Sequence, residues 1–212
     1  MKTKMMWSAL LAALAVLALS VVALGCGSDD DASSKSSGSG NETDAAFIND
    51  MTTHHQGAID MAKLAQSRAE HPELRQLAED VVGAQEGEIA VMKTIRDDMR
   101  DMGDHDDAHM DMDKHAMGMD MDMAALENAK PFDKAFIDAM VPHHRGAIAM
   151  AKELLENGEQ PGLRKMADDI IRAQTKEIAQ MRRWRKAWYG TASSSGDVGS
   201  HEPDHGSMDM GG

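Results

Sequence analysis

Cysteine is all but missing from this sequence: one, Cys26, stands among 212 residues. Disulfides therefore contribute nothing, and the fold must rest on its core. Aromatics are scarce too, with three Trp, one Tyr and three Phe, which leaves Ala, Met, Leu, Ile and Val to fill that core. Positive charge is also short, since 22 Lys and Arg against 36 Asp and Glu give a formal charge of −14. So acidic a chain is a poor partner for nucleic acid, whose phosphates demand Lys and Arg. It suits cations. No nucleophile triad, phosphate-cradling glycine loop or nucleotide motif is present.

Long apolar runs are limited to one, SALLAALAVLALSVVALG, which follows the basic opening MKTKMMW and ends at Cys26. A basic segment and then an apolar one is the pattern of a secretory signal. The letters ALGC resemble the lipobox of bacterial lipoproteins, in which the cysteine becomes the acylated first residue of the mature chain. Residues 1–25 are therefore expected to be a lipoprotein signal peptide. Residues 26–43, rich in Gly, Ser and Asp, are expected to be a lipid-anchored flexible tether. The expected location is exported, on the extracytoplasmic face of the cell membrane, at the cell surface or in the periplasm. Removing Lys2 and Lys4 with the signal takes the formal charge from −14 to −16.

What the chain does have is a repeat. DAAFINDMTTHHQGAIDMAK (44–63) aligns with DKAFIDAMVPHHRGAIAMAK (133–152), and HPELRQLAEDVVGAQEGEIAVM (71–92) with QPGLRKMADDIIRAQTKEIAQM (160–181). The offset is 89 throughout, the mark of an internal duplication. Phe47, Met51, His54, Ala58 and Met61 fall on one face of a helix, as do Leu74, Leu77, Val81, Gln85, Glu88 and Met92. The second copy repeats both stripes from Phe136 to Met150 and from Leu163 to Trp184. Pro72 and Pro161 mark the start of each second helix. The fold class is all-α: a four-helix bundle over 44–189, from duplicated hairpins 44–100 and 131–189. Residues 101–130 are expected to form a long disordered crossover, and 190–212 a disordered Met/His tail.

Polar residues at stripe positions are the informative exceptions. His54–His55 and His143–His144 straddle the inward direction of the first helix of each copy. Met51 and Met61, with Met140 and Met150, lie along the same helices. Gln85, Glu88 and Met92, with Gln174, Glu177 and Met181, face them from the second helices. An unpaired buried carboxylate is costly, so each Glu must be protonated, salt-bridged or metal-bound. Either buried His–Glu hydrogen bonds fix the helix register, or the set ligates metal. Pro142, inside the stripe, is expected to kink or bulge its helix. Gly57 and Gly146 permit close approach of another helix or ligand. Trp184 and Trp188 are expected to cap the core, with the neighbouring arginines facing water.

The crossover and tail repeat one chemistry in Met102, His105, His109, Met110, Met112, His115, Met117, Met119, Met121 and Met123, then His201, His205, Met208 and Met210. Thioether sulfur is a soft neutral donor suited to Cu(I) and Ag(I), and it survives where thiols oxidise.

The repeated M-x-x-H-H-x-x-A-x-x-M-A, here MTTHHQGAIDMA and MVPHHRGAIAMA, together with Q-x-x-E-I, resembles the bacterial family called domain of unknown function 305. That resemblance implies a ferritin-like four-helix bundle, exported or lipid-anchored, with some members linked to copper binding and tolerance. The leading expectation is a copper-binding protein for sequestration or handover, Cu(I) favoured, with zinc, silver or iron as other candidate metals. Its expected partners are metal ions, the membrane through its lipid, and a metal-handover protein, but no nucleic acid. The alternatives are a ferritin-like metal oxidase, or a structural or interaction module whose buried His–Glu pairs bind no metal.

Overall fold

The computed structural model describes residues 40–100 and 107–190. Among these are five helices: α1 (Glu42–Arg68), α2 (Pro72–Arg100), α3 (Met123–Asn128), α4 (Phe132–Asn157) and α5 (Pro161–Tyr189). The expectations for Cys26, for Met102 and His105, and for the tail with His201, His205, Met208 and Met210 lie outside the described residues. Helices α1 and α2 form one hairpin and α4 and α5 the other, joined mainly where α1 packs on α4. The short α3 lies against α4. The four long helices are those the two apolar stripes predict.

Local chemistry sets the ends. Asn41 caps α1 and Asp44 returns the bond, its carboxylate 2.8 Å from the Asn41 N–H. Pro72 and Pro161 open α2 and α5, where a missing N–H costs nothing. Each hairpin turn is tied by an arginine of its second helix. Arg75 donates to the Ala69 carbonyl, and Arg164 to those of Leu155 and Gly158, at 2.7 and 2.8 Å.

The hairpins then clamp each other reciprocally. Asp44 of α1 accepts from the Glu159 and Gln160 N–H groups in the far turn, at 3.0 and 3.1 Å. Asp133 of α4 accepts from the Glu70 and His71 N–H groups, both at 2.9 Å, and from His71 Nδ1 at 2.7 Å. Both carboxylates are fully buried. Their buried charge is satisfied by these donors, which come from a different hairpin.

The core divides in two along the bundle axis. One apolar cluster holds Phe47, Met51, Met92, Met150, Leu154 and Leu163. The other holds Ala58, Met61, Leu74, Phe136, Met140 and Met181. The dividing layer is polar, made of the His–His, Gln and Glu positions of both copies. At the second cluster's end, Trp184 and Trp188 pack against the core, and Trp188 stacks on His71 at 3.7 Å. Arg185 departs from expectation: it is buried and donates to Asp138 at 2.9 Å rather than facing water.

Pro142 lies inside the continuous helix α4, half-buried beside a groove. One further expectation changes. The described part of the crossover, 107–130, is not disordered. Asn49 donates to the Ala108 carbonyl at 2.7 Å, and Asp50 accepts from the Met110 N–H at 2.7 Å and from His109 Nδ1 at 2.6 Å. Met110 and Met117 are buried in the first cluster, with Met112 and Met119 packed at its edge. Unbranched thioethers fill irregular gaps well, and the aspartates satisfy local turns, as Asp113 does for the Ala116 N–H at 2.7 Å. The segment is a strap laid over the bundle.

Candidate metal centre

The polar layer brings the four histidines together at mid-bundle, all buried: His54 is 1 % exposed, His143 2 %, and His55 and His144 not at all. The rings of His54 and His143 lie 3.7 Å apart across the seam between α1 and α4. His55 Nε2 meets Glu88 Oε2 at 2.7 Å, and His144 Nε2 meets Glu177 Oε2 at 2.6 Å. Each Glu thus serves the histidine of its own hairpin, with about a fifth to a quarter of its side chain reaching solvent. His54 Nε2 stands 3.0 Å from both the Met117 and the His143 carbonyl oxygens.

These contacts fix the tautomers. Carbonyls and carboxylates accept, so Nε2 of His54, His55 and His144 carries the proton, and in the neutral ring Nδ1 then carries the lone pair. Those Nδ1 atoms, with Nδ1 of His143, are buried without a hydrogen-bond partner, and so are Oε1 of Gln85 and Gln174. No other buried side-chain polar atom among the described residues is left in this way. Six polar atoms without partners within one layer of a folded core are costly, since each forgoes its bond to water. A carboxylate holding one ring nitrogen while the other waits is the arrangement that orients histidine toward a metal.

His54 and His143 also resist protonation. Burial, reinforced by His55 and His144, pushes His54 from its ordinary 6.5 to about 3, and burial likewise pushes His143 well below its ordinary value. Both rings are neutral in the folded chain, while in the unfolded chain they take up protons below about pH 6.5. Acid therefore favours unfolding, and stability present above pH 6.5 is lost progressively as pH falls toward 3. Each histidine contributes a slope of up to about 1.4 kcal/mol per pH unit. Urea titrations of the metal-free protein at pH 7, 6, 5 and 4 are expected to show a stability that falls with each step.

Methionines flank the layer on both sides. Met51, Met92 and Met150 belong to one cluster and Met61, Met140 and Met181 to the other, all six fully buried. Among the described residues no three His, Cys, Asp or Glu side chains are gathered in metal-ligating positions. The donors nearest this layer besides its histidines are these thioethers, and imidazole with thioether suits a soft ion of low coordination number. In the strap, His109 and His115 each engage an aspartate through Nδ1, Asp50 at 2.6 Å and Asp120 at 3.1 Å. Met121 packs at the edge of the second cluster and Met123 is exposed.

Two contributors escape the side-chain pattern: Asp50, which anchors the strap, and the Met117 carbonyl, which reaches His54. The two glycines differ accordingly. A Cβ on Gly146 would overlap the Met117 carbonyl, whereas one on Gly57 would meet only His143 Nε2 at 3.3 Å. Gly146→Ala is expected to lose about 1–3 kcal/mol by urea denaturation, and Gly57→Ala less than about 1.

The family model described as a domain of unknown function, DUF305, matches residues 44–185 and again 157–212. The chain belongs to the DUF305 family. Both His–His motifs fall within the first match. A DUF305 protein from Streptomyces coelicolor is 27% identical, with a TM-score of 0.63 over 73% of this chain and 97% of its own. CopM in its Cu(I)-bound form is 44% identical, with a TM-score of 0.60 over 69% of this chain and 98% of CopM. The Cu(II)-bound form is 45% identical, with a TM-score of 0.61 over 69% and 97%. A curated protein, L153 of Acanthamoeba polyphaga mimivirus, is 39% identical over 49 residues, which span only 32% of its length.

Proposed function

We propose that this DUF305 protein binds copper, as Cu(I) in its core, and serves to sequester the ion or hand it on outside the cytoplasm. The observation that carries the reading is the set of four buried Nδ1 atoms without partners, three presented by Nε2–H bonds to carboxylates or carbonyls. Imidazole and thioether donors suit Cu(I) and its soft congener Ag(I). Solved forms of CopM carry Cu(I), Cu(II) and silver, and its 44% identity to this chain supports the transfer. The nitrogen ligands are drawn no more than two to an ion from His54, His55, His143 and His144, with thioethers from Met51, Met140 and the methionines of the flanking clusters. Glu88 and Glu177 orient His55 and His144 rather than bridging metals, which disfavours a carboxylate-bridged oxidase centre.

In this reading Cys26 carries the lipid that holds the protein on the extracytoplasmic face. The Met, His and Asp residues of crossover and tail collect ions, and the aspartates concentrate cations near the surface. The test is anaerobic competition for Cu(I) against a chromophoric chelator, comparing the full chain with a variant whose crossover and tail methionines are all leucine. Leucine keeps the apolar volume where Met110 and Met117 are packed while removing sulfur. The core reading expects tight binding to persist and only weaker capacity to fall. Loss of all tight binding would move the site to the crossover and tail methionines and leave the histidines a structural network.

A further inference from the structure

We infer that residues 107–122 are a gate over the buried His54–His143 pair, and that Asp50 is the positioning residue that holds the gate shut. The inference rests on the copper reading above. The strap is fastened at two places on opposite sides of the α1–α4 seam. On α1, the two oxygens of Asp50 take His109 Nδ1 and the Met110 N–H, beside the bond from Asn49 to the Ala108 carbonyl. On α4, the Met117–Gly118 backbone lies against Gly146, close enough that a Cβ there would overlap it. Between these points the Met117 carbonyl reaches through the seam to His54 Nε2 at 3.0 Å.

The fastening is specific to one side of a duplicated molecule. Asp50 aligns with Ala139 in the second copy, so the anchoring carboxylate belongs to α1 alone. Gly118 adopts φ +69°, and a Cβ there would lie 2.5 Å from the Pro142 carbonyl, so this contact demands glycine. On its α4 side the strap borders a groove of about 530 Å³ lined by His115, Met121, Ala139 and Pro142. The groove offers space for the strap to swing into once the Asp50 bonds part. An ion bound to the histidines beneath cannot leave through the seam while Met117–Gly118 is seated.

A gate and a ligand leave different kinetic signatures. Opening a gate speeds loading and release alike, because the bound and empty states are unlocked together. Losing a ligand weakens affinity and speeds release alone. The experiment is stopped-flow transfer of Cu(I) between the full chain and a chromophoric chelator, in both directions, without oxygen. Asp50→Ala and Gly118→Ala are each expected to raise both rates about tenfold or more, with the dissociation constant changed less than about threefold. Asp80→Ala, which removes the acceptor of exposed Gln76 on α2, is expected to leave both rates unchanged. If the wild type exchanges copper and neither anchor variant alters its rates, the gate is wrong and the core site stands. Faster release with affinity falling in step makes the strap part of the binding site and overturns the gate as well. If the wild type takes up no Cu(I), the copper reading fails and the gate fails with it.

Discussion

His143→Leu is expected to weaken Cu(I) binding by about a hundredfold or more while making the metal-free protein more stable. The ring is 2 % exposed, its Nδ1 has no partner, and burial holds it neutral far below its ordinary pKa. A leucine of similar bulk removes a buried ring nitrogen that has no partner from between two apolar clusters. Relief of about 1–2 kcal/mol follows, worth about 3–6 °C in a domain of this size. The lost donor costs the ion about 2.7 kcal/mol or more, which is the hundredfold. A residue kept for stability would show the opposite sign in the apo protein. Differential scanning calorimetry and chelator competition on the same samples read both quantities. The pH slope of stability should also fall to about half, because one of the two neutral buried imidazoles is gone.

Asp133→Ala is expected to have the largest effect on folding, a loss of about 3–5 kcal/mol. Removing the carboxylate strands the Glu70 and His71 N–H groups and frees the His71 ring from the carboxylate that holds its Nδ1. Each stranded donor costs about 1–3 kcal/mol, moderated here because the turn can admit water. The thermal midpoint should fall by about 10 °C or more. Asp44→Ala removes the matching clamp on the Glu159 and Gln160 N–H groups and should cost a similar amount. Ten helical residues, about 15 Å, separate Asp133 from His143, so copper affinity in the folded fraction should change little. Thermal melts by circular dichroism, with copper titrations well below the melt, separate the two readouts.

The parts that were readable from the sequence share one property: they recur at helical spacing in two copies. The stripes through Phe47, Met51, His54 and Leu74, Val81, Gln85 carry the core and the polar layer together, and both copies agree. The strap has no such period. Its attachment runs through Asp50, one residue before the buried Met51, and through a backbone carbonyl that no side-chain pattern reports. The methionine-rich stretch read as unstructured because aspartate and glycine break every apolar run, yet Met110 and Met117 borrow the bundle's core instead of building their own. The signal for Asp50 lay in the repeat itself, where it stands opposite Ala139. The signal for Asp44 and Asp133 was the reverse, an acidic residue kept at the same place in both helices.

The most direct test of the central claim is imidazole ¹⁵N NMR of the full chain during titration with Ag(I) or, without oxygen, Cu(I). Nδ1 of His54, His55, His143 and His144 is expected to shift on binding the first ions, while the Nε2 protons of His54, His55 and His144 remain in place. If the core resonances stay still while only His109, His115 and the tail histidines respond, the buried layer is not the metal centre.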